Sequence, residues 1–225
     1  MCGRMSLSAP NHRAAALLLA DAVPGFEADG LSQWLAQSEY RPRYNIGPGQ
    51  DHFIVRGRAG RPILDRGSWG LRGPERAGKR GKLVINARAE TVMGQPLFRG
   101  PFATGRCLIP ADGFFEWARR DSQRLPWWFH RRDDKALLFA AVLGPEGFSI
   151  ITVPAAPQLQ WIHARMPAIL EADEVADWLG GDQRRAHALL RSSEVALASM
   201  RVSPSFNSVA HDQPIEPLPE LTPGG

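Results

Sequence analysis

Cysteine is scarce in this 225-residue chain: there are two, Cys2 and Cys107. Two cysteines cannot build a disulfide framework or a structural zinc shell, so a reducing compartment, the cytoplasm, is the expected home. The six histidines include no His-Glu-x-x-His pair, and neither a metal nor an organic cofactor is expected. Long apolar runs are also missing, with nothing near the ~20 residues of a membrane span. The nearest candidate for an export signal is Ala14 to Ala20, preceded by Arg4 and Arg13 and followed by the small-x-small triplet Ala20-Asp21-Ala22. An amphipathic helix capped at Ser8, with Pro10 in its first turn, accounts for the same residues without export.

Turn formers, by contrast, are plentiful, with 22 glycines and 19 prolines. They punctuate short β-branched or aromatic segments: His52 to Val55, Ile63 to Leu64, Leu83 to Ile85, Cys107 to Ile109, Phe114 to Trp117, Trp127 to His130, Leu137 to Val142 and Phe148 to Val153. Helical patterns lie at the two ends, in the N-terminal segment, at Leu31 to Glu39, at Ala172 to Leu179 and at Gln183 to Leu190. Tyr44 to Gly49 reads as a loop. Central strands flanked by helices predict an α+β fold, a β-rich, barrel-like core of short, mostly antiparallel strands with peripheral helices. One domain is expected over 1–211, followed by a proline-rich tail over 212–225.

The formal charge of +4 conceals an asymmetry. Residues 41–132 carry 19 Lys and Arg against 7 Asp and Glu, whereas the remainder carries 8 against 16. A polyanion is the leading partner on this count; a solvated basic surface is the plainer alternative. Gly73-Pro-Glu-Arg-Ala-Gly78-Lys79 matches most of a phosphate-binding P-loop, but Arg80 replaces the required hydroxyl and no strand and helix flank it. Arg72 to Lys82 reads instead as a mobile basic insertion.

Cys2 is the chemically distinctive residue. Removal of Met1, favoured by the small second side chain, leaves a 1,2-aminothiol whose amine has a pKa of about 8 and whose thiol has one of about 8.5. Such a pair condenses with an aldehyde to an imine, and the thiol then closes a five-membered thiazolidine. An inert near-terminal cysteine is the bland reading.

Six ordered blocks decide between the two: Met1-Cys2-Gly3-Arg4, Tyr44-Asn-Ile-Gly-Pro48, Trp69-Gly-Leu71, Asn86-Ala-Arg88-Ala-Glu90-Thr91, Gly113-Phe-Phe-Glu116-Trp117 and Ile162-His163-Ala-Arg165-Met166-Pro167. With Val202-Ser203 and Asn207, they resemble the SOS response-associated peptidase (SRAP) family over almost the whole chain. That resemblance implies a sensor of abasic sites in single-stranded DNA that crosslinks through Cys2 and shields the lesion, with lyase-type release. It implies catalytic roles for Cys2, Asn86, Glu116 and His163. His163 would assist ring opening and proton transfer, Glu116 would hold or shuttle a proton at the Cys2 amine, and Asn86 would orient Cys2 or donate to a sugar oxygen.

For binding, Arg4, Arg88 and Arg165 would grip phosphates. Asn45, Pro48, Trp69 and Trp117 would stack on or wedge between flanking bases, while Trp127 and Trp128 are assigned to the core. The chain departs from the family pattern at Met5, Gly47 and Gly49, and in the segment after Leu71 that the basic insertion occupies. A monomer associated with the nucleoid, with no membrane partner, is expected. Two alternatives remain open: a cysteine peptidase acting at least on its own N-terminus, with Cys2 as nucleophile and His163 as base, and a non-covalent reader of modified DNA.

Overall fold

The computed structural model describes residues 2–73 and 81–218. Its elements in chain order are β1 (Met5–Leu7), α1 (His12–Ala22), α2 (Ala28–Gln37), β2 (Arg43–Ile46), β3 (Asp51–Arg58), β4 (Arg61–Ser68), β5 (Leu71–Arg72), β6 (Leu83–Val84), β7 (Asn86–Arg88), α3 (Pro96–Thr104) and β8 (Arg106–Ala111). Then come β9 (Gly113–Arg120), β10 (Gln123–Arg131), β11 (Leu137–Gly144), β12 (Gly147–Pro154), α4 (Pro157–Gln160), β13 (Arg165–Pro167), β14 (Ile169–Leu170), α5 (Val175–Gly180), α6 (Gln183–Ala188) and β15 (Leu197–Arg201).

The fold is α+β with two main sheets. The first runs β15-β10-β9-β1-β2 and the second β13-β12-β11-β8-β3-β4, with β14 against β11 and β7 parallel to β12. Neither path closes among the described residues, so the barrel-like core consists of open, mostly antiparallel sheets. Long local hairpins build them, and β3 returns as β4 through Ala59 and Gly60, both at positive φ, the two-residue turn whose twist matches paired strands. The strand β11 is buried on both faces over Leu137 to Val142, as a central strand must be.

Alternation along β9 sorts its side chains into two layers, and everything functional follows from it. Phe114 and Glu116 face the main core between the sheets, whereas Phe115 and Trp117 face a second cluster with Trp128, Met200, Val202 and Phe206. Gly113 is required here because a Cβ would lie 2.2 Å from the indole nitrogen of Trp128, which crosses it to donate to Ser6 Oγ at 2.9 Å.

All eight expected strands form, most of them longer than read. The N-terminal helix begins later than expected, because Asn11, not Ser8, caps α1 by accepting from the Ala14 N–H. Ser8 instead gives its hydroxyl to Asp112. Ala15, Ala16, Leu19 and Ala22 of α1 are buried, so the apolar run is a packed helix, and no described helix is long and apolar enough to cross a membrane. The expected loop at Tyr44 is half strand: Arg43–Ile46 pairs with β1, and only the turn after Ile46 is irregular. Pro96 opens α3 and Pro101 lies inside it, yet Phe98 and Phe102 anchor this unexpected helix. Ala172 to Leu179 divides into a 3₁₀ turn, Ala172–Glu174, and α5. The tail starts in contact with the sheet, since Asp212 accepts from the Tyr44 and Asn45 N–H groups and pairs with Arg43 at 3.0 Å. Of the basic insertion, Arg76, Lys79 and Arg80 lie outside the described residues, as does the end of the tail, 219–225.

Candidate functional site

On the core side of β9, four chemically able side chains converge from four segments. Cys2 leads into β1 and is completely buried, its Sγ 3.6 Å from the Arg4 carbonyl. Asn86 opens β7 and donates from Nδ2 to the Cys2 carbonyl at 2.9 Å, while its buried Oδ1 has no hydrogen-bond partner among the described residues. Glu116 is 3 % exposed. His163 follows α4 in a tight turn, its N–H bonded to the Leu159 carbonyl at 3.0 Å. The ring Nδ1 lies 2.9 Å from the Arg165 backbone nitrogen and 3.0 Å from the Arg165 carbonyl oxygen, so the main chain of Arg165 fixes the orientation of the ring.

Electrostatics link these groups. Burial pushes the Cys2 thiol up, and the nearby Glu116 carboxylate adds to the effect. The thiol is therefore held protonated rather than activated as a thiolate. Burial also raises Glu116, while His163 and Arg124 act in the opposite direction. Cys2, Glu116 and His163 thus form one electrostatic unit, to which Asn86 attaches through the Cys2 main chain. Among the described residues no three His, Cys, Asp or Glu side chains group as a metal site.

The opposite face of β9 carries a different assembly. Arg4 donates to Asn45 Oδ1 at 2.8 Å and to the carbonyls of Phe206 at 3.0 Å and Asn207 at 3.2 Å. The Trp117 indole N–H donates to Asn207 Oδ1 at 2.7 Å, and its ring has the guanidinium carbons of Arg124 and Arg4 at 5.0 and 5.8 Å from its centroid. A third group sits on β7, β12 and β13. Arg165 makes a bidentate pair with Glu90, at 2.5 and 2.9 Å, and also donates to the Thr152 carbonyl. Arg88 on the same flank is exposed.

These contacts revise several expected roles. Asn45 has no exposed surface, and its Nδ2 is spent on the carbonyls of Ser208 and His211, both at 2.8 Å. Trp69 is equally buried, stacked on Phe148 with its N–H given to the Ile85 carbonyl. Neither can stack on a base; both hold the scaffold. Pro48 is exposed at the turn after β2. Trp117 is accessible but faces away from Glu116, on the arginine side. Arg124, which sequence reading passed over, earns a place through its stacking on Trp117 and its position near Glu116; the only sequence signal was the basic density of 119–132. A 480 Å³ cavity lined by Tyr40, Arg41, Arg43, His52 and Arg66 lies apart from the site and shares none of these residues.

Comparison with known proteins agrees with the ordered blocks. The family model for SOS response associated peptidase (SRAP) matches residues 1–209. Abasic site processing protein YoqW of Bacillus subtilis (strain 168) is 34 % identical over 190 residues, covering 80 % of each chain. Abasic site processing protein YedK of Escherichia coli (strain K12) is 30 % identical over 187 residues, covering 80 % of this chain and 79 % of its own. A crystal structure of a protein from Bacteroides thetaiotaomicron superposes with a TM-score of 0.70 at 22 % identity, over 94 % of this chain and 100 % of that one, which establishes likeness of fold.

Proposed function

The chain belongs to the SOS response-associated peptidase family, and from that premise we propose that it processes abasic sites in single-stranded DNA by forming a thiazolidine through Cys2 once Met1 is removed. The single observation that supports this most is the convergence of Cys2, Asn86, Glu116 and His163 on one face of β9, with the arginine assembly of Arg4 and Arg124 on the other. The contact of β9 with the N-terminal segment ends at Phe115, whose N–H donates to the Arg4 carbonyl at 3.0 Å, so Glu116 and Trp117 lie at a rim between the two faces. The DNA backbone follows the arginine side, and the abasic sugar, lacking a base, turns over the rim towards Cys2.

The chemistry then proceeds amine first. The abasic sugar is mostly a closed hemiacetal, and proton transfer by His163 opens it to the aldehyde. The Cys2 amine adds to the carbonyl carbon, and loss of water gives the imine. Glu116, with its carboxyl raised by burial, exchanges protons with the amine during addition and dehydration. The buried thiol stays protonated until the imine carbon is in reach. Its Sγ then forms the new bond to that carbon, and its proton passes to the imine nitrogen, so the ring closes without an external reagent. Asn86 fixes the Cys2 carbonyl, and its open Oδ1 is an acceptor for a sugar hydroxyl. The family's peptidase name suggests thiolate attack, but a thiol pushed up by burial and by Glu116 is poorly suited to it. Incubation with an abasic oligonucleotide is expected to give a species that survives denaturation and is lost in Cys2→Ala; its absence in the processed wild type would refute the proposal.

A further inference from the structure

We infer that Trp161 is a nucleobase-stacking residue that seats a base next to the lesion, an inference that rests on the abasic-site reading above. Leu17, Met93, Trp161 and Val209 are the exposed large apolar side chains among the described residues, and only Trp161 is aromatic, at 53 % exposure. It is nevertheless fixed. Its indole N–H donates to the Gln158 carbonyl at 3.0 Å, and its ring meets the Trp127 ring edge-on, with centroids 4.9 Å apart and planes at 81°. The Gln158 side chain is itself tied to β15, donating to the Val195 carbonyl at 2.7 Å and accepting from the Leu197 N–H at 3.2 Å.

The position of this ring follows from the ladder. Trp127 lies directly opposite Glu116 in the β9–β10 pairing, so their side chains share a face as close neighbours. From Glu116 outward the order is therefore Trp127, then Trp161, and the turn that carries Trp161 also delivers His163 two residues later. A rigid, half-open aromatic face beside a proposed single-strand site is what base stacking requires, and stacking tolerates any base because every base has a π-face. Trp161 thus supplies the platform on the core side of the rim that the buried Asn45 and Trp69 cannot. Its preference is for purines, which offer the larger stacking area.

The test is a thermodynamic cycle on non-covalent binding, using single-stranded oligonucleotides with a tetrahydrofuran abasic analogue, which has no aldehyde. Trp161→Ala is expected to weaken binding about tenfold and Trp161→Phe to retain most of it, at unchanged thermal stability because the side chain is half exposed. A second tetrahydrofuran placed on the 5′ or 3′ side of the first removes the neighbouring base. On one of these two substrates the penalty of Trp161→Ala should vanish, which also assigns the side. An equal penalty on all three substrates, or none on any, overturns the inference. Crosslinking to a genuine abasic site is measured in parallel. Crosslinking without the stacking coupling refutes Trp161 alone, the coupling without crosslinking refutes the covalent reading alone, and no binding by the wild type refutes both.

Discussion

Replacing Asn45 with alanine separates a scaffold role from a DNA-contact role. The side chain is fully buried and makes three strong contacts, two donated by Nδ2 at 2.8 Å to the Ser208 and His211 carbonyls and one accepted by Oδ1 at 2.8 Å from Arg4. Truncation leaves two carbonyls and one guanidinium donor short of a partner. At roughly 1–3 kcal/mol for each buried polar group left unsatisfied, with partial rescue by water where the partners approach the surface, the loss is about 3–4 kcal/mol. For a chain of this size that is about 6–15 °C in Tm. Asn45→Asp should be similarly harmful, because it keeps the acceptor for Arg4 but sets a carboxylate against two carbonyls. Urea or thermal unfolding followed by circular dichroism reads the result. A Tm within about 2 °C of wild type, together with weakened single-strand binding, would show that Asn45 contacts DNA and that the reasoning from burial is wrong.

Glu116 sets an acid limb on crosslinking: because burial raises its pKa, the ionised acceptor is lost above the ordinary carboxylate range as pH falls. Single-turnover rates against pH should show that limb in the wild type and not in Glu116→Gln; an unchanged profile contradicts the role. His52 couples folding to pH, since burial holds it down to about 4 from 6.5. The unfolded chain takes up the proton first, so this contribution is intact above about pH 6.5, has lost about 2 kcal/mol by pH 5, and is exhausted below pH 4; denaturant titrations on wild type and His52→Gln should differ by that slope. Glu90→Gln should release Arg165 from its bidentate pair, tightening binding to unmodified single strands and steepening the salt dependence by about 0.7 in log–log slope. Unchanged affinity and slope would show that Arg165 does not reach phosphate.

Strands with dense β-branched and aromatic residues, such as Leu137 to Val142, were legible because their propensity and burial agree. Strands that depend on a partner were not: β1, β2, β7 and β13 are three or four residues long and exist only where a neighbouring strand pairs with them. Helix α3 was hidden by Pro101, which local rules treat as a breaker, although Pro96 sits at the first helical position where proline is favoured; the helix forms because Phe98 and Phe102 are buried. Motif order brought together Cys2, Asn86, Glu116 and His163, but it could not show which face of β9 each residue occupies. Burial of Asn45 and Trp69 and the turn of Trp117 away from Glu116 emerge only from register. Trp161 belongs to none of the chemistry-bearing positions of the blocks, and its exposure is a tertiary property.

Thiazolidine formation at Cys2 is read out by intact-mass spectrometry of the protein before and after incubation with an abasic oligonucleotide. The free protein is expected to lack Met1, the adduct to equal the sum of the two reactants less one water, and its mass to be unchanged by borohydride because a thiazolidine has no imine to reduce. Cys2→Ala should give no borohydride-resistant adduct. A reducible adduct that forms equally well in Cys2→Ala, or no adduct from protein that has lost Met1, would contradict it.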